Sequence, residues 1–263
     1  MDNIQRKLLI KKDNIANEIV NFSSLVDETS IIFSGKEDDD LIIKIKDALM
    51  DSLSLKRKIS EDILKMDGLS GRKYRSLINS LIKKVKNPSY LEIGSWLGST
   101  ACSAAFKNKL TITCIDNWSQ VFFEKKFPEP EKIFKENIKK CLSKDSKYNF
   151  INNDFRKIDF SSIGEHNIYL FDGPHHYEDH FDGIVLAQPA LTEKFILIID
   201  DWNWNQVRDG TISALKDLKL NIVSKLEIRT TQDGSNALMM SQNSDWHQGY
   251  CFFVIQKYLL FFF

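Results

Sequence analysis

The chain has no net charge, few cysteines and no long apolar run, and each of these lacks excludes something. Lysine plus arginine and aspartate plus glutamate both number 36 in 263 residues. Nucleic-acid binding normally leaves a basic excess, so a small-molecule partner is expected rather than nucleic acid. Only four cysteines are present, Cys102, Cys114, Cys141 and Cys251, and none stands in a C-x-x-C pair. They read as reduced core thiols of a cytoplasmic protein rather than as disulfides. No apolar stretch is long enough to span a bilayer. The opening MDNIQRKLLIKKDN carries charge on both sides of a short apolar patch, which is not the pattern of a signal peptide. The closing YLLFFF is too short for an anchor and is expected to dock on a surface or stay disordered.

What is present falls into two textures. Residues 1–65 are charged, with apolar residues recurring at three- and four-residue steps (Leu8, Leu9, Ile15, Ile19, then Ile42, Ile45, Leu49, Leu53). That period predicts helices, with GKEDDD at 35–40 as the turn between two of them. This amino-terminal helical segment is read as an appendage, a lid or a contact in a homo-oligomer. From residue 66 to 257 short apolar runs alternate with amphipathic stretches. Strands are expected at 90–93, 111–115, 148–151, 168–171, 195–199, 222–228 and 250–255, and helices at 100–107, 131–142, 177–191 and 207–218. Continuous apolar strands between helices predict a mostly parallel, doubly wound sheet covered on both faces. Residues 258–263 form an apolar tail.

Ligands of such sheets sit beyond the carboxyl ends of the strands. The first strand runs into LEIGSWLGST, where Gly94 and Gly98 bracket a turn into a helix. The dinucleotide fingerprint G-x-G-x-x-G would need glycine where Trp96 stands, which disfavours a nicotinamide enzyme. Asp116 ends the second strand in CIDNW, where a carboxylate can accept both hydroxyls of a ribose. Asp154 after the third strand is placed either to accept from an adenine amino group or to cap a helix. Glu92 lies inside an apolar strand and needs a partner, which a cationic amino group on a ligand would supply. The segment MDGLSGRKYRS at 66–76 reads as a flap leading into the core. After the fourth strand comes LFDGPHHYEDH, with Asp172, His175, His176 and His180. After the fifth comes IIDDWNW, with Asp200 and Asp201. Three carboxylates on one rim repel each other unless a divalent cation lies between them, and an all-oxygen set suits Mg²⁺ or Mn²⁺. The acid pair read by itself could equally cap a loop. His176 and His180 read as solvated helix residues. Trp202 and Trp204 read as a stacking floor or as packing, and Trp246 and His247 as candidates for the acceptor side.

With these motifs the chain resembles the S-adenosylmethionine-dependent methyltransferases with a Rossmann-like core, through YLEIGSWLGST and CIDNW over roughly residues 66–257. That resemblance implies a seven-stranded sheet whose last strand is antiparallel. It implies a cofactor site of Glu92, Gly94, Ser95, Gly98, Asp116, Asn117, Trp118 and Asp154. The second half is similar to the metal-dependent O-methyltransferases acting on sugar hydroxyls of macrolide and aminocoumarin antibiotics. That similarity implies Asp172, Asp200 and Asp201 as ligands of Mg²⁺ or Mn²⁺, His175 as general base and Asp172 beside it in catalysis. The acceptor it implies is a sugar or glycan hydroxyl. Pro174 stands where part of that family has a second acid. The rival readings are a metal-dependent hydrolase, a metal-independent methyltransferase and a non-catalytic nucleoside-binding module. HHYEDH fails the H-x-H-x-D-H zinc pattern because Tyr177 occupies a histidine position.

Overall fold

The computed structural model describes residues 29–54, 59–120 and 123–258. Its centre is one eight-stranded sheet of order β1-β7-β8-β6-β5-β2-β3-β4. The strands are β1 Ser30–Gly35, β2 Ser89–Ile93, β3 Thr111–Asp116, β4 Lys147–Asn152, β5 His166–Phe171, β6 Leu191–Ile199, β7 Asn221–Arg229 and β8 Tyr250–Gln256. β4, β3, β2, β5 and β6 run parallel, whereas β8 is antiparallel to both β6 and β7. The expected parallel core and antiparallel last strand are therefore present. The strand count is not seven, because Ser30–Gly35 pairs antiparallel with β7 along the outer edge. This strand falls in the segment read as helical. SIIFSG follows no helical period, and the GKEDDD turn joins a strand to a helix rather than two helices. The apolar positions expected in helices before residue 29, Leu55, and residues 259–263 of the tail lie outside the described residues.

Strand residues alternate between faces, and the helices cover both. Tyr90, Ile196 and Ile198 point into one core with α1 Asp40–Leu53, α3 Arg72–Lys84, α4 Ser99–Ala105 and α5 Pro130–Cys141. Leu91, Leu197 and Ile199 point into the other, with α6 Tyr177–Ala187 and α7 Asn205–Asp217. α1 places Ile42, Ile45 and Leu49 in the first core beside Leu77 and Leu81 of α3, so it belongs to the same globule as the sheet. All four cysteines are buried and free, as expected. No helix among the described residues is long and apolar enough to cross a membrane.

The chain lays β2, β3 and β4 outward on one side, then returns to place β5 on the other side of β2. The crevice between the ends of β2 and β5 is the point where strand order reverses, and ligands bind at such points. Above it lies the segment through α2 Glu61–Leu64 to Gly71, held by one side chain from below. Arg75 is fully buried. Its Nη1 donates to the carbonyls of Ile63, Leu64 and Met66 (3.1, 3.3 and 2.6 Å), Nη2 to Gly68 (3.3 Å) and Nε to Ser70 Oγ (2.9 Å). Burial lowers its pKa only to about 10, so the guanidinium keeps its charge and donates all of these bonds. Arg75→Ala should remove about 3 kcal/mol of stability by leaving those carbonyls buried and unpaired. Urea unfolding checks the magnitude, and limited proteolysis should show new cleavage within residues 60–71.

Candidate functional site

A cavity of about 490 Å³ opens in the crevice. One end is lined by Glu92, Gly94, Ser95, Asp116, Asn117, Trp118 and Asp154, and the other by Asp172, His175, Asp201, Trp204, Met240 and His247. The structure thus brings nearly all the expected site residues to one space. Gly98 and Asp200 are not among its lining residues.

At the first end, Gly94 and Gly98 both take positive φ, 91° and 84°. Their lack of a side chain serves the protein itself rather than leaving room for a ligand. A methyl group on Gly94 would lie 1.7 Å from the Asp172 carbonyl oxygen, and one on Gly98 would lie 2.9 Å from the Phe134 ring. Glu92 is 1% exposed. Tyr90, two residues earlier on the same strand face, donates its hydroxyl to Glu92 Oε2 at 2.6 Å, while Oε1 has no partner. Burial outweighs that bond and pushes the Glu92 carboxyl up to about 7. Tyr90 was missed in the sequence, although the two-residue strand period places it beside Glu92. Asp116 organises the turn. Its Oδ2 accepts the Trp96 amide and its Oδ1 the Trp118 amide, both at 2.7 Å. Burial raises its pKa, against the pull of four backbone amides, those of Trp96, Trp118, Ser95 and Asn117. Asn117 accepts from the Ser119 amide and hydroxyl. Asp154 does what a cap does, accepting the Arg156 amide at 3.0 Å, and also faces the cavity.

At the other end, Asp172 and Asp200 follow neighbouring parallel strands. Burial first, then the repulsion of neighbouring carboxylates, raises both well above their usual range. Two of the three expected ligands come together with the expected base. Ligand atoms of Asp172, His175 and Asp201 lie within 4.8 Å of one another. Asp200 lies just behind this group, its side chain hydrogen-bonded to that of Asp172. Its Oδ1 accepts the Asp201 amide at 2.7 Å, and its charge faces Tyr74 and Tyr250 on the first core side. His175 takes the vacated place, with Nε2 2.8 Å from Asp201 Oδ2 and its ring 5.0 Å from Trp204, edge-on. Burial works to raise Asp201, but the His175 hydrogen bond and charge, with His247 and His180, hold it below its usual value. Burial works to lower His175, and Asp201 raises it instead.

The remaining expected residues divide. Trp204 lines the cavity, with Nε1 donating to Asn236 at 2.9 Å. Trp202 is packing, 1% exposed and donating to Glu227. Trp246 is in the first core. His176 is exposed, but His180 is completely buried rather than solvated, and its pKa falls to about 3 through burial and the nearby His175. α7 causes this burial, because Gly210 lets it press onto α6 at Tyr177 and His180.

Residues 91–202 match a family model described as a methyltransferase domain. None of the curated proteins matches the chain. Among solved structures, a putative methyltransferase from Streptococcus mutans is 13% identical over 70% of this chain and 48% of its own, with a TM-score of 0.48. This chain therefore spans about half of that protein's length. An O-methyltransferase from Bacillus cereus is 9% identical over 83% and 92%, with a TM-score of 0.47. A putative RNA methyltransferase from Pyrococcus horikoshii is 12% identical over 82% and 98%, with a TM-score of 0.47. Likenesses this distant say nothing of a substrate. The expectation that nucleic acid is not a partner finds no support among them.

Glu92 makes a test that needs no ligand. The folded protein holds its proton up to about pH 7, whereas the unfolded chain releases it near 4.5. The group's contribution is therefore full below about pH 4.5 and is lost as pH rises through 7. Glu92→Gln should gain on the order of 3 kcal/mol relative to wild type between pH 5 and pH 8, measured by urea unfolding. A constant difference across that range contradicts the assignment.

Proposed function

We propose that the chain is an S-adenosylmethionine-dependent O-methyltransferase, assisted by a divalent cation, that acts on a hydroxyl of a sugar or related small molecule. The observation that carries this reading is the placement of Asp172, His175 and Asp201 at one end of a cavity whose other end holds Asp116 and a buried glutamate with one partnerless oxygen. The cofactor supplies a methyl group on a positively charged sulfur. Glu92 Oε1, buried and without a partner, suits its ammonium group. Asp116, a carboxylate at the end of β3 facing the cavity, suits the ribose. Asp154 and the Ile115 side suit the base.

The acid cluster fits a cation by its chemistry. Two carboxylates and an imidazole converge in a partly buried space where the carboxylates by themselves repel, and this mixed donor set suits Mn²⁺ and similar metals as well as Mg²⁺. Asp172, His175 and Asp201 would hold the ion, which lowers the pKa of a hydroxyl and orients it. Trp204 and Met240 wall the space for the acceptor.

A second reading rests on the 2.8 Å contact between His175 and Asp201. With Nε2–H donated to Asp201, the Nδ1 lone pair of His175 is left to take the acceptor proton, and Asp201 fixes the ring and its tautomer. This dyad works without a metal.

Titration calorimetry with S-adenosylhomocysteine tests the cofactor, and tight NAD binding in its place would overturn the class. Mn²⁺ titration of the loaded protein then separates the two readings. The metal reading expects Asp172→Asn and His175→Ala each to weaken Mn²⁺ binding tenfold or more, and Asp200→Asn to weaken it less. If wild type and both variants bind Mn²⁺ equally weakly, the dyad stands. His175→Ala then loses roughly 10²–10⁴-fold in turnover, and a chelator has no effect.

A further inference from the structure

His247 is held at every point but one. Its backbone N–H donates to Ser244 Oγ at 2.9 Å, and its carbonyl accepts from Thr230 Oγ1 at 3.0 Å. Its ring Nδ1 accepts the Ser241 amide at 3.0 Å. The residue is 6% exposed and sits at φ 45°, a left-handed conformation that costs a non-glycine residue energy and persists only where the surroundings impose it. Asp201, opposite it, is likewise at φ 53°. The one ring atom left over, Nε2, points at Asp201 Oδ1 from 3.8 Å, and both residues line the cavity.

Two consequences follow from the chemistry of imidazole. An Nδ1 that accepts an amide proton carries none of its own, so the ring proton is on Nε2. Nε2 then has no lone pair, and His247 serves neither as a metal ligand nor as a base. It is a donor. The 3.8 Å separation is too long for a hydrogen bond to Asp201, and it leaves an N–H and a carboxylate oxygen facing one slot. A hydroxyl oxygen satisfies both sides of such a slot, accepting from Nε2–H and donating to Oδ1. A carbonyl or ether oxygen satisfies one side only. The slot does not suit the reacting oxygen, because a donated N–H draws away the electron pair that must attack.

We infer that His247 is a fixed donor that seats a second hydroxyl of the acceptor, adjacent to the one that is methylated, and thereby selects for diols. This rests on the methyltransferase reading for the first hydroxyl, but the state of His247 can be tested without it.

The full chain, labelled with ¹⁵N-histidine and mixed with S-adenosylhomocysteine, is read by long-range ¹H–¹⁵N NMR, with His247 assigned by comparison with His247→Gln. The expected ring is neutral with its proton on Nε2. Propane-1,2-diol should shift that resonance, and propan-1-ol at equal concentration should shift it far less. Diol affinity, followed on the Trp204 indole N–H, should fall about tenfold in His247→Phe, which removes the donor. It should be largely kept in His247→Gln, whose amide N–H reaches the same place. A proton on Nδ1, equal responses to the two alcohols, or equal losses in both variants overturns the inference. Failure of S-adenosylhomocysteine to bind by calorimetry strikes the methyltransferase reading instead, and the tautomer still decides the role of His247.

Discussion

The ends of β2 and β5 meet closely enough that Gly94 has no room for a side chain beneath the Asp172 carbonyl. This contact sets the geometry of the whole site. It closes the sheet at the point where strand order reverses, and so places the Glu92 turn directly beside the acid-bearing loop after β5. Asp172 N–H donates to the Ile93 carbonyl at 2.9 Å, which ties the same two loops from the other direction. The cavity joins the Glu92 turn to the acid-bearing loop only because these loops are one backbone width apart.

That closeness has an electrostatic cost. Glu92, Asp172 and Asp200 are buried on the same side of the sheet, and burial raises all three. Full ionisation of such a group is unfavourable by itself and becomes favourable beside a positive charge. A ligand ammonium near Glu92 and a cation near Asp172 would relieve the strain at two separate places. Asp201 behaves differently. His175, bonded to it at 2.8 Å and raised by it in turn, already supplies the compensation, which keeps it ionised as a hydrogen-bond acceptor. The site therefore divides into acids that await positive charge and one acid that has it.

How far this was legible in the sequence depends on how local each signal is. The parallel strands were readable because strands buried on both faces are continuous apolar runs, and the residues after them fall on the rim by topology. Glu92 stood out as an acid in such a run. β1 was not readable, because SIIFSG is short and lies between a helical pattern before it and α1 after it. Its reason to be a strand is β7, nearly two hundred residues later. Asp200 and Asp201 were read as one pair, although the left-handed turn at Asp201 leaves only that acid lining the cavity. His175 was read as a base, whereas its contact with Asp201 depends on the path of the β5–α6 loop. Arg75 gave no signal in RKYRS, because the carbonyls that need it belong to an irregular segment above. His180 looks solvated by its spacing on α6 and is buried because α7 covers it.

β1 has a consequence for the molecule in solution. Without it, β7 would be the border of the sheet, a nine-residue strand with a full row of unsatisfied amides and carbonyls. Such borders recruit strands from other molecules and lead to aggregation. β1 occupies that row from Ser30–Arg229 to Gly35–Ser224. Gly35 ends it at φ 96°, where a side chain would meet the β7 backbone at 2.5 Å, so the chain turns away sharply and β1 stays short. At the opposite border, β4 presents Lys147 and an exposed Tyr148. A lysine on a border strand discourages stacking by charge. The protein thus guards one side of its sheet with a strand and the other with a charge.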